Sequence, residues 1–286
     1  MDAVLNSEVV SVLTLCAYAV VVVVLLVRNV RAYGEGLGVW FLYFVQRLYA
    51  GIMFRWRSDG PCPLPAKGGA LVVANHRSPV DPIMIWQNSH IRPERNEREK
   101  RTIGFLTASE YFEIPGLGWL IRTMQSIAVD RDGQDMGPTR EAIRRLRAGR
   151  LVGIFPEGGL NFGTDLREPN PGVAYLALKG KVPVYPCYIS GVTQVQGDMV
   201  APFTRRCRVR ITWGEPIDLS EFQGKRVTQE LLVEVTNVIF ARLAELGGVG
   251  FAPAREHLEE ERNELRNGNG KAAAGNSETE KTETAN

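Results

Sequence analysis

His76 and Asp81 stand five positions apart in "ANHRSPVDPIMIW", a stretch punctuated by two prolines. An imidazole that titrates near neutrality is suited to taking a proton from a hydroxyl, and a carboxylate against its other nitrogen fixes the tautomer and stabilises the imidazolium. Five positions do not share one helix face, so the contact needs a loop that folds Asp81 back onto the ring. Taken alone, the pair fits a plainer reading better: a satisfied loop histidine beside an aspartate that only caps a helix. A second stretch, "LVGIFPEGGLNFG", runs from an apolar segment through Phe155, Pro156 and Glu157 to Gly158 and Gly159. The two glycines admit close backbone approach and offer N–H groups to an anion or a developing oxyanion. Alone, Pro-Glu-Gly-Gly equally describes a tight turn at a strand end.

Few other residues compete for chemistry. Of three histidines, His90 lies near a charge-rich stretch and His257 opens a polar tail. Cys16, Cys62, Cys187 and Cys207 show no CxxC or other metal-ligand spacing, so neither a zinc site nor a disulfide framework is expected, and the setting reads as reducing. A net charge of +2 predicts no polyanion partner, nucleic acid included.

The elements that position these residues follow from hydrophobic patterning. Leu71, Val72 and Val73 after Gly68 and Gly69 read as a buried strand, and Pro82 suits the first turn of a helix with Asp81 at its N-cap. His76 therefore falls in a strand-to-helix loop, where α/β folds keep their chemistry. Strands are predicted over 70–74, 103–107, 126–130, 151–155, 182–189 and 207–213, and helices over 82–88, 117–124, 137–148, 172–179 and 228–246. Such alternation implies an α/β fold, a mixed sheet flanked by helices. Leu231, Val235, Val238, Ile239, Leu243 and Leu246 recur at helical spacing and read as core.

Residues 9–27 carry no charge and as a helix would span roughly 28 Å, the thickness of a bilayer hydrocarbon core. Asp2 and Glu8 on its N-terminal side argue against a cleaved leader, and Arg28 and Arg31 at its other end place the rest of the chain in the cytoplasm. The aromatic stretch 37–56, interrupted by Gln46 and Arg47, reads as an interfacial helix. The expected organisation is membrane-anchoring helices over 1–57, a catalytic domain over 58–250 opening on the linker 58–69, and a polar, disordered tail over 251–286. The charge-rich segment 92–101 reads as a solvated loop.

Taken together, the two stretches resemble the membrane-bound glycerolipid acyltransferases, the family of 1-acylglycerol-3-phosphate acyltransferase. Its Asn-His-x-x-x-x-Asp block is matched by Asn75, His76 and Asp81, with Ser78 where Ser is frequent. "IPGLGWLIRTMQSIAVDRD" matches its second block and places Arg131 where the family has an acceptor-binding arginine; Phe155 to Gly158 match its Phe-Pro-Glu-Gly, and "VPVYPCYI" its proline-containing strand. The blocks agree in order and spacing over residues 70–190.

The resemblance implies the glycerolipid acyltransferase fold and O-acyl transfer from acyl-CoA or acyl carrier protein to the sn-2 hydroxyl of a lysophosphatidate at a membrane, with no cofactor and no metal. In that reading His76 is the general base and Asp81 orients it. Asn75, Ser78, Arg131, Phe155, Pro156, Glu157, Gly158 and Gly159 line the substrate site. Three departures bear on the acceptor: Gly159, Leu160 and Asn161 replace the usual Thr-Arg-Ser, Asn170 stands where a basic residue is usual, and Glu110 and Glu113 lie where Lys is frequent. These keep open another lysolipid or glycolipid acceptor, or a catalytically silent lipid-binding protein.

Overall fold

A computed structural model describes residues 2–32, 35–60, 62–89, 101–130 and 135–255. Arg131, the tail from 256 onward, and the charge-rich segment up to residue 100 lie outside the described residues.

Seven strands form one sheet: β1 (Arg57–Asp59), β2 (Ala70–Ala74), β3 (Ile103–Ala108), β4 (Ile127–Val129), β5 (Leu151–Ile154), β6 (Val184–Ser190) and β7 (Arg210–Trp213). Their order across the sheet is β1-β7-β6-β2-β5-β3-β4. From β6 through β4 neighbours run parallel; β7 is antiparallel to β6 and carries β1 with it, so the sheet is mixed. β2 lies at the centre with all five residues buried, as a strand covered on both faces must be. A continuous apolar run, not an alternating one, is the sequence signature of that position, and "ALVVA" has it.

Helices α1 (Asp2–Ala32), α2 (Leu37–Met53), α3 (Asp81–Ser89), α4 (Leu117–Thr123), α5 (Gly137–Arg147), α6 (Gly172–Gly180), α7 (Ala201–Thr204) and α8 (Gln229–Gly247) complete the described chain. One face of the sheet, through Val72, Ala74, Phe105, Val209 and Ile211, packs against α2 and α3. The other, through Leu71, Val73 and Val152, packs against α5, α6 and α8. In α8 the predicted stripe is core: Val235, Ile239 and Leu243 have no exposed surface, Thr228 accepts the Leu231 N–H at the start, and left-handed Gly248 ends the helix.

Two expectations change. The segment read as a linker from residue 58 begins as the strand Arg57–Asp59, whose short polar sequence has no alternation and which exists because β7 supplies its ladder partners. The segment 37–56 is more than an interfacial helix: Val39, Leu42, Tyr43, Gln46 and Ala50 of α2 are buried against the sheet, while Leu37, Phe41, Phe44, Val45, Leu48 and Ile52 face outward. Within α1, Val9–Arg31 is long and apolar enough to cross a membrane, with mean hydropathy 2.9 and none of it buried.

Candidate active site

β2 delivers Asn75 and His76 at its C-terminal end. The Asn75 side chain continues the sheet, donating to Ile189 O at 2.9 Å and accepting from Ile189 N at 2.7 Å, so the chain leaves β2 from a fixed point. His76 Nδ1 then lies 3.1 Å from Asp81 Oδ2. The same oxygen accepts the N–H groups of Arg77 at 2.6 Å and Ser78 at 2.7 Å. This corrects the capping expectation: the helix starts at Asp81 itself, and the carboxylate turns back into the preceding loop. Oδ1 of Asp81 is buried and has no hydrogen-bond partner among the described residues.

The imidazole is the part of this cluster that reaches outward. Asp81 is fully buried, whereas the His76 side chain keeps 19% of its surface exposed. Its ring stacks on Phe155 at 4.2 Å between centroids and 17° from parallel, and Phe155 stacks in turn on Phe105 at 5.0 Å and 11°. An apolar ring below and a carboxylate at one nitrogen fix both the plane and the rotation of the imidazole.

The Phe-Pro-Glu-Gly segment braces the same loop from β5. Glu157 Oε1 accepts the His76 N–H at 2.9 Å, and Oε2 accepts Asn161 Nδ2 and, at 3.0 Å, the Arg167 N–H. Asn161 N donates to His76 O at 2.7 Å, so the His76 N–H is held by a side chain and its carbonyl by a backbone N–H of the loop after β5. Asn161, noted from sequence only as a departure, is thus a structural member of the site. Arg77 is another, buried and donating to Gly163 O, Thr164 O and Tyr188 Oη. A loop arginine between a histidine and a serine carries no sequence signal of that role.

Of the residues expected on the substrate, Asn75, Ser78 and Glu157 have their polar side-chain atoms on protein instead. The Ser78 hydroxyl is buried and donates to Thr193 O at 2.9 Å. Pro156 is buried, and its carbonyl accepts Asn170 N. Gly158 has φ +69°, where a side chain would be strained, and its N–H donates to Phe155 O at 3.2 Å. Gly159 N–H has no backbone acceptor among the described residues, which leaves it the better oxyanion donor of the two. Beside this turn stands a cation that sequence reading passed over: a Cβ built on Gly159 would come within 3.9 Å of Arg167 Nη1. Among the described residues no three His, Cys, Asp or Glu side chains are grouped to hold a metal.

The acyltransferase family model matches residues 55–190, which contain the whole of this cluster. The segment is an acyltransferase domain. It is related to 1-acyl-sn-glycerol-3-phosphate acyltransferases, being similar to that of Bacillus subtilis at 25% identity over 186 residues, 64% of this chain and 83% of that one. The acyltransferase of the same description from Saccharomyces cerevisiae is 24% identical over 201 residues, 66% of this chain and 59% of the other. An uncharacterized protein of Mycobacterium leprae is 30% identical over 158 residues, 52% of this chain, and the match spans only 40% of that relative's length. In fold, the chain resembles the crystal structure of the Thermotoga maritima 1-acyl-sn-glycerophosphate acyltransferase PlsC, with TM-score 0.54 and 23% identity over 73% of this chain and 79% of that one.

Proposed function

We propose that the protein transfers a fatty acyl group from acyl-CoA or acyl carrier protein to the sn-2 hydroxyl of 1-acylglycerol 3-phosphate, giving phosphatidic acid. The observation that carries the reading is the His76–Asp81 contact of 3.1 Å, with the imidazole partly exposed and the carboxylate buried. Asp81 accepts from Nδ1–H, so Nε2 carries the lone pair. As the acceptor hydroxyl oxygen attacks the thioester carbonyl carbon, its proton passes to Nε2. The tetrahedral oxyanion collapses, the C–S bond breaks, and the proton returns from the imidazolium to the departing thiolate. Asp81 stabilises the imidazolium in between. The substrate hydroxyl is the nucleophile, so no acyl-enzyme forms.

Asn75, Ser78, Glu157 and Asn161 act as positioning residues that hold the His76 loop, and the Gly159 N–H and Arg167 face the reacting groups. α1 anchors the chain in the bilayer with Arg28 and Arg31 on the cytoplasmic side. A second reading, a lysolipid with another headgroup or a glycolipid as acceptor, is favoured by one observation: Asn170, where a basic residue is usual, spends its side chain on Gly172 N. Offering the purified full chain several lysolipids with one acyl thioester, and identifying the products, tests the assignment. Phosphatidic acid as the main product supports it; acylation of only uncharged or diester acceptors refutes it.

A further inference from the structure

Arg55, Arg57, Arg208 and Arg210 are all exposed and belong to two neighbouring backbone segments at the edge of the sheet. Pairing is parallel and in one register from Phe54 opposite Cys207 to Arg57 opposite Arg210, with Arg55 N donating to Cys207 O and Arg57 N to Val209 O. Arg55 therefore stands opposite Arg208, and Arg57 opposite Arg210. Phe54, Trp56, Val209 and Ile211, the residues in between, pack into the core on the α2 side. Alternation along the strands sends all four arginines to the other face, where they form a two-by-two array.

Like charges directly opposite in a sheet are destabilising, so this array costs stability in isolation. Among the described residues the one carboxylate paired with it is Asp59, 3.8 Å from Arg210 Nε and also accepting from the Thr212 hydroxyl. The near-neutral balance of the whole chain conceals the cluster, because 55–57 and 208–210 meet only in the fold.

The array also lies at the catalytic end of the sheet. Arg210 pairs with Ser190, the last residue of β6, three positions beyond the Cys187 that faces Ala74 of β2. With strands about 4.8 Å apart, Arg210 sits roughly 10 Å to the side of the strand that delivers His76. Segments leaving that same end carry large apolar residues into solvent: Trp119 in α4 after β3, Phe162 in the loop after β5, and Met199 and Val200 in the loop after β6. Apolar side chains flanked by arginines are the composition of a surface that meets lipid headgroups.

We propose that Arg55, Arg57, Arg208 and Arg210 bind the headgroups of anionic phospholipids and so seat the catalytic rim on the bilayer. This rests on the reading of α1 as a membrane anchor, which by itself confers no preference between lipids. The guanidinium is the apt group, since it takes phosphate oxygens in bidentate fashion. Continuity with the exposed apolar rim favours lipid over an acidic soluble protein.

The test uses the full chain in neutral detergent micelles containing dansyl-phosphatidylglycerol or dansyl-phosphatidylcholine at equal mole fraction, with energy transfer from tryptophan as the readout. Wild type should show several-fold more transfer to the anionic lipid at low salt, and the preference should vanish at high salt. Each arginine near a charged surface contributes about fivefold in affinity, the equivalent of about 1 kcal/mol. The variant R55Q/R57Q/R208Q/R210Q should lose the preference, keep its turnover in neutral micelles and melt no lower than wild type; the corresponding four-lysine variant should keep most of the preference. Equal transfer to the two lipids by wild type, or an undiminished preference in the glutamine variant, would overturn the proposal. So would saturable binding of an acidic acyl carrier protein that the glutamine variant loses while its lipid preference persists.

Discussion

The rings of His76 and Phe155 lie 4.2 Å apart between centroids and only 17° from parallel, so the residue that opens the Phe-Pro-Glu-Gly segment forms the floor on which the imidazole rests. A ring stack of this kind is worth about 0.5–1.5 kcal/mol beyond simple burial. Phe155→Leu should keep the volume apolar but release the ring plane, lowering kcat about three- to tenfold with KM for the acceptor unchanged. Steady-state kinetics of the two proteins check it; an effect confined to KM would place Phe155 on the substrate instead.

Glu157→Gln puts an NH2 group where an oxygen now accepts from N–H donors, on a side chain that is 5% exposed. Leaving a buried donor facing a donor costs about 1–3 kcal/mol, so the melting temperature should fall by several degrees. Turnover should drop because the His76 backbone is no longer held, while KM for lysophosphatidate stays within about twofold of wild type, consistent with the small effect of groups that do not touch the ligand. A large KM effect without a stability loss would make Glu157 a substrate ligand.

How much of this was legible in sequence differs by element. The central strands and the helices between them were, because each is a contiguous run whose period is set by its own burial. β1 was not, since three polar residues form a strand only because β7, about 150 positions later, offers a ladder. At the site, residue type and spacing made His76 and Asp81 candidates, and only the resemblance to the acyltransferase blocks raised them above a satisfied loop histidine and a helix cap. That Asp81 ties down Arg77 and Ser78 instead of capping α3 depends on the path of the loop. The linkage of Glu157 to the His76 N–H depends on two strands being neighbours, and Arg167 comes near Gly159 through a loop with no periodic signal.

In the proposed reading, Arg167 beside Gly159 is the cation that meets the acceptor phosphate. Arg167→Ala should raise the KM for lysophosphatidate by roughly ten- to a hundredfold, the range expected for losing a hydrogen bond to a charged group, and Arg167→Lys by less. An uncharged lysolipid should be affected far less by either change. Equal effects on charged and uncharged acceptors would mean that Arg167 only supports the turn through Leu160 O.

Thiol reagents should leave the activity intact. Burial pushes the Cys187 thiol well above its usual range, with Cys62 and Asp81 adding to the effect, and burial pushes Cys62 up to about 11. Both therefore stay protonated and unreactive near neutral pH. Treatment of the full chain with N-ethylmaleimide, which can reach the exposed Cys16, followed by an acyl-transfer assay checks this; stoichiometric inactivation would show that a modified thiol lies close enough to the site to block transfer.

Deleting residues 1–31 should leave a fraction of the protein on membranes, held by the outward face of α2. Adding Phe44→Asp and Leu48→Asp to that deletion should release it, since neither side chain is buried in the core. Carbonate extraction reads both steps, and complete release by the deletion alone would show that the α2 face has no lipid contact.

The central claim is that the imidazole of His76, held by Asp81, removes the acceptor proton. Single-turnover acyl transfer by purified wild type, His76→Ala and Asp81→Asn tests it most directly, with melting curves recorded alongside. His76→Ala should lower the rate by about 10²- to 10⁴-fold while the protein stays folded, its melting temperature reduced by only about a few degrees for the lost ring stack. Asp81→Asn should also be slow, because its neutral amide leaves the imidazolium unstabilised. Near-normal transfer by a folded His76→Ala protein would contradict the account.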